Sequence, residues 1–354
     1  MNSLLRFSGP RTVEIVDAPH LELQPGQARI RTIYSGISAG TELTAYRGTN
    51  PYLTSEWDPE LRLFRGAKAD GGLAYPLDGW GYSEVGQVTE VRPPDSEKGQ
   101  SDTDRPLEVG DVVWGIWGHR SEAVLAADAL DGHRVPSGLD PLAAAFVRVG
   151  AIALNGVLAA DLGVGSTVAI FGQGVIGLLA TRFAALNGAT VIAVDGIASR
   201  RDHARAWGAA QVFEPSDGLA LRIRELTGGR GTDCAIELSG NYAALRDAMR
   251  AVGPDGTVVA SGFYQGDAAA IRLGDEFHHN RVQLIASQIG SVPNRLRARW
   301  DVARLQQTVL DALERGSVDA SALVTHRFAL ADAAEAYRML DADPSAALQV
   351  VLEF

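Results

Sequence analysis

The chain has 354 residues, 46% of them hydrophobic and 21% charged, which is enough apolar material for two ordinary domains and excludes disorder as its resting state. Its 32 basic residues against 43 acidic ones leave a net charge of −11, which argues against nucleic acid or an anionic membrane as partner. The single cysteine, Cys234, can close no internal disulfide, and residues 1–9 lack the basic start and apolar block of a secretory signal, so a cytoplasmic location is expected.

Residues 1–140 read as short apolar runs separated by Gly, Pro and Asp, among them 28–33, 85–91 and 109–114, and predict a β-rich domain. Two polar inserts interrupt it. The first, 52–75, predicts a short helix begun by Ser55 and is a candidate lid; the second, 93–106, is charged and predicts an exposed loop. Asp140-Pro141 is a helix start, and the apolar stretch that follows, 142–160, is broken by Arg148 and Asn155, so it predicts a buried helix rather than a membrane span. The rhythm then changes. Strand 167–171, helix 175–187, strand 190–195, helix 200–208, strand 233–238, helix 242–252 and strands 256–261 and 282–288 alternate as in an α/β domain with a parallel sheet, before a helical stretch at 299–315. The expected organisation is one domain of residues 1–149 and 291–354 around a second of residues 150–290.

The strongest local signal is Gly172-Gln173-Gly174-Val175-Ile176-Gly177, set between an apolar strand and an apolar helix. Gly172 permits the tight turn, Gly174 lets a pyrophosphate approach the backbone at the helix N-terminus, and Gly177 lets helix and strand pack closely. Asp195 ends the next strand 18 residues after Gly177, where its carboxylate can accept hydrogen bonds from an adenosine ribose. That favours NAD(H), since the same charge repels the 2′-phosphate of NADP, although Arg200 and Arg201 lie close enough to keep NADP as an alternative. The cofactor set is thus Gly172, Gln173, Gly174, Val175, Ile176, Gly177, Asp195 and Arg200.

A dinucleotide-binding unit after a β-rich domain resembles the medium-chain dehydrogenase/reductase superfamily, which pairs a GroES-like domain with a Rossmann doubly wound sheet. The segments that carry the resemblance are Tyr34-Ser35-Gly36-Ile37-Ser38-Ala39-Gly40-Thr41-Glu42, Gly81-Tyr82-Ser83-Glu84-Val85-Gly86, Gly110-Asp111-Val112-Val113 and the glycine fingerprint. Zinc-dependent members would carry a cysteine where Ser38 stands, a His-Glu pair where Tyr82-Ser83 stands, and a third ligand within 146–149, which offers no Cys, His or acid. Hydroxyls are a poor donor set for zinc, so no metal is expected. The wording of 35–42 and 75–86 is similar to zinc-lacking members such as the bacteriochlorophyllide dehydrogenase type. The resemblance further implies a homodimer or homotetramer joined through the strand at 282–288.

Without a metal, the proton that accompanies hydride transfer must move by other means. No Tyr-x-x-x-Lys motif exists, and the two lysines, Lys68 and Lys98, sit in the inserts. By resemblance the hydroxyls of Ser38, Thr41, Tyr82 and Ser83 occupy the place of the metal centre, with Tyr82 and Thr41 the first choices as proton carriers. Glu84 is expected to turn to the other face of its strand, His119 to hold a loop, Cys234 to be core, and the adjacent His278 and His279 to diverge too far to share a metal. Trp57, Trp80, Trp114 and Trp117 are candidates for an apolar substrate wall. The leading expectation is a zinc-independent NAD(H)-dependent alcohol dehydrogenase or carbonyl reductase acting on a small molecule. Two alternatives stay open: a zinc-free quinone or enoyl reductase, and an NAD(H)-binding sensor or structural protein without turnover.

Overall fold

The structure is a computed structural model, and it describes residues 2–66, 73–95 and 105–354. Residues 67–72 of the candidate lid, most of the loop at 93–106, and both lysines lie outside the described residues. The chain divides into two units, Met1–Arg148 with Leu313–Phe354, and Val149–Ala312.

In chain order the first unit contributes β1 (Ser3–Gly9), β2 (Thr12–Asp17), β3 (Gln27–Ile37), α1 (Ala39–Arg47), β4 (Ser55–Asp58), β5 (Leu63–Gly66), β6 (Leu77–Asp78), β7 (Glu84–Arg92), β8 (Val112–Gly115), β9 (Glu122–Ala126) and α2 (Pro141–Ala144). The second runs through α3 (Val147–Ala159), β10 (Thr167–Phe171), α4 (Val175–Leu186), β11 (Thr190–Val194), α5 (Ala198–Ala206), β12 (Ala209–Phe213), α6 (Leu219–Leu226), β13 (Thr232–Glu237), α7 (Tyr242–Ala251), β14 (Val252–Ala260), β15 (Gln283–Ala286) and α8 (Val302–Glu314). The chain then returns to the first unit with β16 (Val324–Ala329), α9 (Ala333–Ala342) and β17 (Gln349–Glu353).

The first unit is built on a sheet of order β16-β17-β3-β7-β8, with β9 also paired to β3, beside a smaller sheet β2-β1-β6. Strand β3 is central because it pairs antiparallel with β17, β7 and β9 along its 11 residues. Its core gathers Phe7, Tyr46 and Tyr337, whose ring centroids lie 5.2–6.4 Å apart. Such aromatic contacts add roughly 0.5–1.5 kcal/mol per pair beyond the area they bury.

In the second unit six parallel strands follow the order β12-β11-β10-β13-β14-β15. Counted from β10 this is 3-2-1-4-5-6, the doubly wound order of a Rossmann sheet, whose direction reverses between β10 and β13. The strands are apolar on both faces, as burial between two helix layers demands: Val168, Ala169, Ile170 and Phe171 are all buried. Asn241 starts α7 by accepting from the N–H groups of Ala243 and Ala244 at 2.7 and 3.3 Å.

The structure corrects the sequence reading in three places. The return to the first unit comes at Leu313 rather than 291, because α8 packs on α3: Leu305 and Val309 are buried, and a Cβ added at Gly150 would lie 2.6 Å from Val309. Ser55 begins a strand, not a helix. Asn50 caps a single 3-10 turn at Pro51–Leu53, and β4 and β5 then form a hairpin in which Trp57 faces Phe64. Strand β12 and helix α6 were not foreseen. No described helix is long and apolar enough to cross a membrane.

Candidate functional site

In the second unit the glycine fingerprint follows directly from β10. Gly172 has φ +85°, and a Cβ there would meet the Ser239 N–H at 2.8 Å, so only glycine fits. Gly177 is more constrained, since its Cβ would fall 1.8 Å from the Gly172 carbonyl oxygen. Gly174 differs from both. It caps α4 in extended geometry and faces open space, its nearest neighbour being a nitrogen of Arg200 at 4.0 Å from the Cβ position. The N-terminal turn of α4, with half-buried Val175 and Ile176, thus presents unpaired N–H groups beside an open face, which suits a pyrophosphate.

Asp195 is buried against this turn and accepts from the N–H of Gln173 at 2.6 Å and of Ile197 at 2.8 Å. Arg201 donates to the Asp195 carbonyl rather than standing free for a phosphate. Gln173 itself is fully buried, its amide held by the Ile170 carbonyl and the Thr181 hydroxyl, so its backbone and not its side chain belongs to the loop surface.

Sequence reasoning missed Glu237. It ends β13 opposite Phe171 of β10, at the reversal of strand order where ligands of such sheets bind. Its fully buried carboxylate accepts from the N–H groups of Ser239 and Gly240, from the Ser239 hydroxyl and from the Tyr264 phenol. Burial pushes its pKa up, and these hydrogen bonds only partly offset that.

In the first unit Ser38 stands at the start of α1, and its Oγ makes a short hydrogen bond with the Tyr82 hydroxyl. Thr41 Oγ1 lies 3.4 Å from the same hydroxyl. Three of the four expected hydroxyls therefore meet. Ser83 does not join them, because successive side chains diverge; its Oγ is buried without a partner. Burial raises the Tyr82 pKa, the Ser38 and Thr41 hydrogen bonds lower it in part, Glu42 pushes it up, and Arg148 pulls it down.

Beneath this cluster lies a buried polar hub. Glu42 Oε1 accepts from the Ser38 N–H at 2.7 Å, tying it to the start of α1, while Oε2 meets His119 Nε2 at 2.8 Å and accepts from the Tyr337 phenol. The other imidazole nitrogen lies 2.6 Å from Ser35 Oγ, which donates to Glu84 at 3.0 Å. Burial alone would raise the Glu42 pKa, but the charge and hydrogen bond of His119 outweigh it and leave the carboxyl low. His119 is raised in turn, burial being overcome by Glu42. Glu84, turned away from Ser83 as expected, is buried rather than at the surface, and burial raises its pKa.

Other residues fall into place as packing. Cys234 is buried in β13, and burial pushes its thiol up to about 12. His279 bonds the Asp275 carbonyl, its ring 5.6 Å from that of His278. Trp114 and Trp117 are core, whereas Trp57 and Trp80 line an open cavity of about 350 Å³ with Tyr52 and Leu73. Among the described residues no group of three His, Cys, Asp or Glu side chains could hold a metal ion. The hydroxyls of Ser38, Tyr82 and Thr41, bonded to one another, do not fit zinc, which takes thiolate, imidazole or carboxylate donors.

A model of the zinc-binding dehydrogenase family matches residues 175–304. The chain is 29% identical to D-guloside 3-dehydrogenase of Escherichia coli (strain K12) over 354 residues, 98% of each protein. It is 33% identical to an alcohol dehydrogenase of Cupriavidus necator over 249 residues, 67% of this chain and 63% of the relative. The fold matches 2R,3R-butanediol dehydrogenase of Bacillus subtilis with a TM-score of 0.78 over 100% of both chains, at 21% identity.

Proposed function

Since the chain belongs to the medium-chain dehydrogenase/reductase superfamily and is an oxidoreductase, we propose that it is a zinc-independent, NAD(H)-dependent dehydrogenase acting on a secondary hydroxyl, or its ketone, in a sugar-like substrate. The observation that carries this reading is the hydroxyl cluster of Tyr82, Ser38 and Thr41 where metal donors would stand.

The open turn at Gly174 and the N-terminal N–H groups of α4 would hold the pyrophosphate, and Asp195 the adenosine ribose. When bound, the nicotinamide supplies or accepts the hydride. The chain's own task is the proton. In the reductive direction the substrate oxygen gains negative charge and takes the Tyr82 phenol proton, a downhill transfer because an alkoxide is far more basic than a phenolate. Ser38, in contact with the same oxygen, links Tyr82 to its replacement proton. The aromatic cavity at Trp57, Trp80 and Tyr52 is suited to the apolar face of a sugar ring, with Glu56 at its rim for hydroxyl groups. Assembly through the exposed edge of β15 extends the proposal, and light scattering of the purified protein tests it.

The test is absorbance of reduced nicotinamide with EDTA-treated, metal-assayed protein and a panel of glycosides, polyols and ketosugars. Turnover that persists without zinc supports the reading; activity lost with one zinc per chain would overturn it. Tyr82→Phe should lower kcat roughly 10²–10⁴-fold, the usual worth of a positioned acid. Asp195→Ala should reduce the preference for NAD over NADP, and an unchanged ratio of kcat/KM values would remove Asp195 from that role.

A further inference from the structure

Glu237 ends β13 between the ends of its two neighbours, opposite Phe171 of β10 and Ala260 of β14. Its backbone carbonyl accepts from the N–H groups of Ser261 and Gly262, both at 2.9 Å, so the loops that leave β13 and β14 are joined at this residue. The side chain joins them a second time. Oε1 accepts from the Ser239 N–H at 2.7 Å and from the Ser239 hydroxyl, and Oε2 accepts from the Gly240 N–H at 3.1 Å and from the Tyr264 phenol. The loops meet so closely that a Cβ on Gly240 would lie 2.7 Å from the Phe263 carbonyl oxygen, and one on Gly262 would lie 2.7 Å from Glu237 Oε2. At the near end of this wall Ser239 abuts the glycine fingerprint, its backbone nitrogen 2.8 Å from where a Cβ on Gly172 would stand.

Each carboxylate oxygen faces a backbone N–H, a donor that cannot reverse, so only a group that accepts at both ends satisfies the set. A carboxylate does so; a carboxamide, with one oxygen and one NH2, does not. A fully buried carboxylate with neutral donors alone is nonetheless a costly way to fasten two loops. Its position supplies the reason. A dinucleotide crosses a sheet of this order at the reversal between β10 and β13. Asp195, directly after β11, assigns the adenosine half to one side of that point, which leaves the nicotinamide half over the ends of β13 and β14, where the two loops stand.

We infer that Glu237 is a positioning residue for the nicotinamide half of the cofactor: by fastening Gly240 and Tyr264 to one carboxylate it fixes the wall against which that half is held. This rests on the NAD(H) reading above. Glu237 acts through the loops that it holds, and the two halves of the dinucleotide therefore depend on it unequally.

Glu237→Gln in the full chain tests this, with NADH affinity read by fluorescence and ADP affinity by calorimetry on the same preparation. ADP carries the adenosine and pyrophosphate and lacks the nicotinamide half. The carboxamide oxygen should stay with the two Ser239 donors, leaving the NH2 in the place of Oε2, where the Tyr264 hydroxyl can turn to accept but the Gly240 N–H cannot. The NADH dissociation constant should then rise about tenfold, the scale of one buried donor without its acceptor, while that of ADP stays within about twofold of wild type. Tyr264→Phe keeps the carboxylate and loses one neutral donor, so it should show the same pattern at about threefold. It serves alone if Glu237→Gln fails to fold by thermal melting. A bond that merely stabilised the unit would weaken both probes together. Equal loss for NADH and ADP, or no loss for either, overturns the inference and leaves the NAD(H) reading intact. Absence of NADH binding in the wild type overturns both.

Discussion

Glu42 in the first unit and Glu237 in the second are both fully buried and both collect several hydrogen bonds, Glu42 from Ser38, His119 and Tyr337 and Glu237 from Ser239, Gly240 and Tyr264. They end on opposite sides of the ordinary carboxylate pKa: Glu42 is held low and Glu237 is pushed high. Both carry the burial penalty, so the difference lies in the countercharge. His119 supplies a cation to Glu42, and Glu237 has only neutral donors. Hydrogen bonds share a buried negative charge, but an adjacent cation is what makes it stable there.

The largest way to break this comparison is to remove the cation. His119→Ala should cost about 3–5 kcal/mol in urea unfolding at pH 7, because the Glu42 charge is left buried without its partner. Combining it with Glu42→Gln should recover much of that loss, and a strictly additive double variant would show that the two groups are not coupled. The pH dependence sharpens the contrast through its sign. The stabilisation from Glu42, whose folded pKa is lowered, is present above its unfolded value of about 4.3 and fades as pH falls through the folded one. For Glu237, whose folded pKa is raised, the favourable contribution is full below about 4.3 and lost as pH rises through the folded value. Stability curves of Glu42→Gln and Glu237→Gln against wild type should therefore diverge in opposite directions, the first variant losing its handicap in acid and the second losing it toward neutral pH. Parallel curves would contradict the assignment. The smallest effect is expected from Tyr264→Phe, about 1 kcal/mol for one hydrogen bond.

The two units also differ in how far their residues could be read. The fingerprint lies on consecutive residues, and Gly172 and Gly177 answer to a local turn and a strand–helix contact, so the strand–turn–helix unit at Gly172–Gly177 was visible in the sequence together with nearly every strand around it. The polar hub joins Glu42 to His119 across 77 residues and to Tyr337 across 295, separations at which no local pattern signals contact. His119 read as a loop residue for that reason. Glu237 escaped notice because a single acid after an apolar strand looks the same whether it caps the strand or faces solvent. Ser55 misled in a different way: serine before a polar stretch resembles a helix cap, but Asn50 had already taken that role, and the alternation of Trp57 with its neighbours was too short to declare a hairpin. Ser38 and Tyr82 were paired only through family resemblance, since their 44-residue separation carries no chemistry of its own.

The division of the chain sets an order of events during synthesis. Residues 149–312 form one uninterrupted stretch, so the unit carrying the glycine fingerprint has all its parts once they have left the ribosome. The first unit is split. Strand β3 waits for β17 to pair along Tyr34–Ile37, and Glu42 waits for the phenol of Tyr337. The hydroxyl cluster next to Ser38 thus rests on a foundation finished only by a segment made after residue 312, and until then the edge of β3 is open to pairing with the wrong strand, a hazard the uninterrupted second unit does not share.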